Sequence, residues 1–171
     1  GCGFCQMNCA HDAITITNHK ASINHDKCVG CGRCIGACPK DATHAGADNT
    51  NEILNCKMAE YALAVVQGRP QFHINLVQDI SPCCDCHGCN DAPILPDIGM
   101  FASADAVAID QACADACLRA EPIPGTRLSE MPHISDEHFI NSYPVSEWRS
   151  QLSHGEKIGL GQRAYELISM K

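Results

Sequence analysis

Apolar and polar residues alternate along "ITITNHKASIN", residues 14–24, around a central Asn18-His19 pair. A period of two sends successive side chains to opposite faces, so this stretch predicts a short β-hairpin turning at Asn18-His19. Further along, the period lengthens. Leu54, Met58, Tyr61 and Val65 recur in steps of three and four, predicting a helix from Glu52 to Gln67 that Gly68 stops. "QFHINLVQDI" then reads as a strand, and "LPDIGMFAS" as an extended segment beyond a cysteine-rich loop. A helix is expected from about Ala104 to Ala120, with Ser103 as its N-cap candidate. Ile109, Cys113, Ala116, Cys117 and Ala120 would form its apolar stripe. A proline-rich loop follows, then a last helix in "PVSEWRSQLSHGEKIGLG" and a terminal strand in "RAYELISM". The mixture predicts an α/β (α+β) fold, with a small module at residues 1–45 joined to part of a layered domain at residues 46–171.

Charge and length narrow the function classes. The formal net charge is -8, and the 12 Lys and Arg form no basic run, which disfavours a nucleic-acid binder. No run of residues approaches the 18 apolar positions of a membrane-spanning helix. Gly1 stands where a Met would begin a chain, and Cys2 already lies inside a motif, so the expectation is the C-terminal part of a longer polypeptide. Cysteine changes the picture most, at 14 of 171 residues. The cysteines bunch at 2-5-9, 28-31-34-38 and 83-84-86-89. Disulfides usually join distant segments, whereas thiolates three residues apart suit one metal centre. Metal binding in a reducing, cytoplasmic setting is therefore expected.

"CVGCGRCIGACPKDA" contains Cys28-x2-Cys31-x2-Cys34-x3-Cys38-Pro39, the run of bacterial-type ferredoxins. Three thiolates on one tight loop reach three irons of a cubane, and the fourth, at a helix start, turns towards a neighbouring cluster. Gly30, Gly32 and Gly36 let backbone N–H groups approach the sulfurs. Upstream, "GCGFCQMNCAHDAI" repeats the run as Cys2-x2-Cys5-x3-Cys9, with the position of its first cysteine lying before Gly1. A degenerate three-thiol site is the alternative for that first run.

Residues 1–45 resemble a two-cluster bacterial ferredoxin domain. The resemblance implies exchanged fourth ligands. Cys28, Cys31 and Cys34 with Cys9 would hold one [4Fe-4S] cluster; Cys2, Cys5 and Cys38, with a cysteine upstream, would hold the other. Ala10 departs from the pattern, since proline usually follows the fourth cysteine. Each oxidised cubane with four thiolates carries a net charge of about -2. Added to an acidic chain, this points to a redox partner protein with a basic docking face.

The loop "CCDCHGCNDA", residues 83–92, is harder to read. It contains the C-x-x-C-H spacing of covalent haem attachment, a pattern that arises easily in so cysteine-rich a chain. Cys84 and Cys86, with Cys89 and Asp91, form a candidate second site for zinc or iron, because soft thiolates select those metals. Cys113 and Cys117 could complete such a site, but their place on an apolar stripe makes core packing their expected role, as it does for Cys56. Asp105 suits a helix N-terminus, and Asp91 and Asp97 suit Asx turns; Asp91, Asp97 and Asp110 stay open between structural and chemical roles.

"CDCHGCNDAPILPDIGMFASADAVAIDQA" and "EWRSQLSHGEKIGLGQRAYELI" resemble the C-terminal half of a prokaryotic family named domain of unknown function 362. The resemblance implies an iron–sulfur protein, chiefly of anaerobes, and supplies no reaction. It covers Cys84 and Cys86; Cys89, Cys113 and Cys117 stand as additions of this chain. The expected function is electron transfer through two [4Fe-4S] clusters towards a site in the layered domain. Two alternatives stay open: an oxidoreductase acting at the 84–91 loop, and a protein whose clusters are structural or sensing.

Overall fold

The computed structural model describes residues 1–40, 42–44, 50–83, 90, 92–144 and 146–170. The chain divides into two units, Gly1–Thr50 and Asn51–Lys171. Among the described residues, no helix is long and apolar enough to cross a membrane.

In the first unit, strand β1 (Ile14–Thr17) pairs antiparallel with β2 (Lys20–Ile23) in the register Ile14↔Ile23 to Thr17↔Lys20. The two residues between them, Asn18 and His19, have φ of 50° and 60°. Positive φ at both central positions gives a two-residue turn the twist that a hairpin needs, and after glycine Asn tolerates it best. The predicted hairpin is thus present with its predicted turn. The cysteine runs fold as two matching short helices, α1 (Phe4–Met7) and α2 (Arg33–Gly36). Their N-caps, Gly3 and Gly32, have φ of 86° and 74°, in the left-handed region that glycine enters without strain. The sequence repeat is therefore also a structural repeat. Cys5, Ala13 and Ile14 are the buried apolar residues described in this unit.

The second unit is built on α4 (Ala106–Arg119), which contacts both strands of an antiparallel pair, β3 (His73–Val77) and β4 (Gly99–Ser103). Short helices α5 (Arg127–Glu130) and α6 (His138–Ser142) interrupt the expected proline-rich loop, and α7 (Arg149–Lys157) also contacts α4. With helices beside small antiparallel sheets, the fold is α+β. One core cluster joins Val77, Ile94, Leu95, Cys117 and Leu128, with Cys113 and Phe139 against it. Another joins Ala59, Val107, Leu152 and Leu160. The cysteine stripe on α4 is thus core packing: burial pushes the thiols of both Cys113 and Cys117 upward in pKa, which keeps them neutral.

Several details differ from the expectations. The helix α3 spans Thr50–Val66, but its expected apolar stripe faces solvent. Tyr61 is 76 % exposed and Leu54 52 %, whereas Ala59 is 2 % exposed. The cause is a second apolar stripe: Ala59 is buried with Val107, Leu152 and Leu160, and Leu63 and Val66 pack against the same cluster. A Cβ at Gly155 of α7 would stand 3.9 Å from the Ala59 Cβ and 3.1 Å from Val107, so α3 and α7 approach closely there. The last helix is shorter than the predicted segment, covering Arg149–Lys157 and ending before Gly159 at φ 81°.

The expected terminal strand is irregular. Its backbone is bound by carboxylates rather than a neighbouring strand: Gln162 N donates to Asp105 Oδ2 and Arg163 N to Glu156 Oε1, each at 2.9 Å. Arg163 Nε reaches Gln111 and the Tyr165 hydroxyl reaches Asp115, each at 2.8 Å, lashing the segment to α4.

The N-cap of α4 is Asp105 rather than Ser103, and its Oδ1 accepts from Val107 N and Ala108 N at 2.9 Å. Ser103 instead accepts from Asp105 N at 3.0 Å. Asp105→Ala should destabilise this unit by about 0.5–2 kcal/mol through the lost cap, towards the upper end because Gln162 N also loses its acceptor. Urea titration of the variant checks this; an unchanged midpoint would remove the capping role.

Candidate iron–sulfur site

The matched helices place the first unit's cysteines around two separate cavities. Cys9, Cys28, Cys31 and Cys34 line a narrow one, together with Ala13, Ile14, Ile23 and Val29. Cys2, Cys5 and Cys38 line a wider one of about 400 Å³, with Gly1, Phe4, His19 and Lys20. Each set takes residues from both cysteine runs: Cys9 joins the second run's loop, and Cys38 joins the first run's. This crossing follows from the repeat, because the last cysteine of each run lies just past its helix and faces away from its own loop.

Among the described residues, no three His, Cys, Asp or Glu side chains converge tightly enough to hold a single metal ion. The thiols instead surround voids, as ligands must when each reaches a different iron of a polyatomic cluster. All the donors common to the two runs are soft sulfur, which suits iron–sulfur chemistry and disfavours hard cations. Arg33 lines the first cavity and Lys20 and Lys40 the second, so cationic side chains stand where thiolate and sulfide charge would gather. Sequence reasoning passed over these residues, although their signal was available: each lies beside a motif cysteine or on the hairpin strand facing one. Residues 1–50 balance four basic residues (Lys20, Lys27, Arg33, Lys40) against four acids (Asp12, Asp26, Asp41, Asp48), which leaves the -8 on the second unit.

Two thiols differ in their surroundings. The backbone amides of Lys40 and Ala42 point at Cys38, with Thr43 adding its own N–H and hydroxyl, and together they lower the Cys38 pKa. Ala42 N donates to Cys38 Sγ at 3.2 Å. Burial raises the pKa of Cys34, and the neighbouring Cys28 and Cys31 thiolates raise it further, against opposing backbone amides. A lowered pKa populates the reactive thiolate at lower pH, and a raised one delays it.

The residues proposed for a second metal site, Cys84, Cys86, Cys89 and Asp91, lie outside the described residues. The loop's entry is well defined. Asn90 brackets Cys83, accepting from its N–H at 3.2 Å and donating to its carbonyl at 3.0 Å, and Ser81 Oγ donates to the same carbonyl at 2.9 Å. Nearby acids have structural roles: Asp97 accepts from Asp79 N at 3.0 Å, Asp110 accepts from Asn75 at 2.8 Å, and Asp105 caps α4. Cys56 is half-buried on α3.

Residues 1–42 match the 4Fe-4S dicluster domain. A segment of 42 residues is 40% identical to one subunit of the ion-translocating oxidoreductase complex of Methanosarcina acetivorans. That segment covers 25% of this chain and 16% of the relative, so the chain spans only a small part of that protein. No solved structure matches. Residues 24–115, more than half of the chain, match the family described as domain of unknown function (DUF362). The chain belongs to that family, and residues 1–42 carry a ferredoxin-type 4Fe-4S module.

Proposed function

We propose that the chain transfers electrons through two [4Fe-4S] clusters. Cys9, Cys28, Cys31 and Cys34 would hold one cluster, and Cys2, Cys5 and Cys38 would supply three ligands of the other. The observation that carries this reading is the sorting of seven thiols into two cavities, each fed by both cysteine runs. The cluster supplies the redox chemistry when bound. This chain's own contribution is to hold the thiols apart, aim the amides around Ala42 at Cys38 and set cationic groups beside the cavities. The likeness to a component of an oxidoreductase complex supports exchange of electrons with a partner protein. Residues 1–50 are formally neutral before cluster charge is added, so a basic face on that partner would answer the clusters themselves.

Anaerobic analysis of iron and sulfide, with EPR of the reduced protein, tests the assignment. About eight irons and eight sulfides per chain are expected. About four of each would remove the two-cluster reading. Cys28→Ser with Cys31→Ser should erase one EPR signal and leave the other. Reversible reduction supports electron transfer; clusters that collapse on reduction would leave the structural reading in its place. We also propose that the Cys84, Cys86, Cys89 and Asp91 loop holds one further zinc or iron, which would serve an oxidoreductase site there. Cys84→Ser with Cys86→Ser should lose that equivalent while keeping both cubanes.

A further inference from the structure

The second unit contains a cavity of about 390 Å³ that the cluster chemistry does not use. This size falls within the range of small-molecule sites. Asp110 of α4, Asn55 of α3, Gln151 of α7, and Tyr143, Glu147 and Trp148 ahead of α7 line it. Two carboxylates face the space, and among its described lining residues there is no Lys, Arg or His. The electrostatics of such a wall favour a cation.

The lining is held in place before any ligand arrives. Asp110 Oδ1 accepts from Asn75 Nδ2 at 2.8 Å. Asn55 donates to the Glu147 carbonyl and to Ser150 Oγ, the latter at 3.1 Å. Trp148 is fixed on three sides: its Nε1 donates to Glu137 at 3.1 Å, Phe139 meets it edge-on at 5.6 Å, and the Arg149 guanidinium lies 4.7 Å from its ring centre. Arg149 also pairs with Glu137, closing the arrangement. Rigid lining lowers the ordering cost of binding. Arg149 already covers one face of the indole, so the attraction for a further cation comes from Asp110 and Glu147.

Ala114, Tyr143 and Leu152 give the same cavity an apolar side. We propose that it binds a small amphipathic organic cation, its ammonium head between Asp110 and Glu147, its apolar tail against Ala114, Tyr143 and Leu152. The proposal is independent of the cluster assignment.

Trp148 is the chain's single tryptophan, so its fluorescence reports on the site directly. The full chain with its clusters assembled, kept anaerobic, is titrated with hexyltrimethylammonium, tetramethylammonium and 1-hexanol. Saturable binding of hexyltrimethylammonium, about ten-fold or more tighter than 1-hexanol, is expected from the two carboxylates. It should also exceed tetramethylammonium, because the tail gains apolar contact with Ala114, Tyr143 and Leu152. Asp110→Asn with Glu147→Gln should bring the cation down to the alcohol's affinity; the amide at position 110 keeps an oxygen for Asn75, and thermal unfolding shows whether the fold is intact. Equal affinity for hexyltrimethylammonium and 1-hexanol, or no saturation, overturns the proposal whether or not the variant folds. So does binding of the cation unchanged in a folded variant.

Discussion

Removing the iron–sulfur clusters should unfold residues 1–50 and leave residues 51–171 folded. The first unit buries Cys5, Ala13 and Ile14 among its described apolar residues, while Val29, Ile35, Phe4 and Met7 are exposed. So small a core cannot offset the conformational entropy of ordering a chain of this length, and small domains of this kind depend on metals or disulfides. Its cysteines line the two cavities of the iron–sulfur module, so cluster coordination would supply the cross-links. Binding free energy then becomes folding free energy. Hydrogen exchange on the anaerobic protein, before and after chelation, measures the outcome. Amides of the Ile14–Ile23 hairpin should fall to unfolded-chain exchange, and those of α4 should keep their protection. Retained protection in the hairpin would mean that the first unit stands without its clusters.

Leu128→Ala should destabilise the second unit by about 2–5 kcal/mol, a large part of a typical domain's total stability. Leu128 is 0 % exposed and packs with Val77, Ile94, Leu95 and Cys117, so truncation leaves a cavity between elements that cannot easily close. Urea unfolding followed by Trp148 fluorescence reads this unit alone, and the visible absorption of the clusters should stay unchanged in the absence of urea. A loss under about 1 kcal/mol would mean that the site collapses around the smaller side chain. Tyr61→Ala provides the contrast: at 76 % exposure it should change stability by no more than about 0.5 kcal/mol.

Tyr61 also marks where a helical pattern misleads. Leu54, Met58, Tyr61 and Val65 carry the correct period for a helix, and the helix exists. Period alone cannot say which face turns inward when a second stripe, Ala59, Leu63 and Val66, has the same period, and here that stripe packs against Val107, Leu152 and Leu160. The cap of α4 shows the same limit at closer range. Ser103 and Asp105 are both good N-cap residues; Ser103 ends β4, paired with His73, so the helix starts at Ala106 and Asp105 takes the cap. The terminal segment, rich in residues that favour strands, finds no strand beside it among the described residues and is held by Asp105, Gln111, Asp115 and Glu156 instead.

The hairpin, the two cysteine loops and the core role of Cys113 and Cys117 could be read directly from the chain. Each depends on neighbours a few residues apart, where backbone geometry and side-chain period leave few choices. The sequence by itself thus determined the iron–sulfur class of this protein and the local form of its ligand loops. Tertiary structure alone decided which face of α3 is buried, which residue caps α4, and that two acids and an indole from separate segments share one cavity. Those outcomes rest on packing and hydrogen bonds between distant residues, and no short-range pattern records where the chain will bring such residues together.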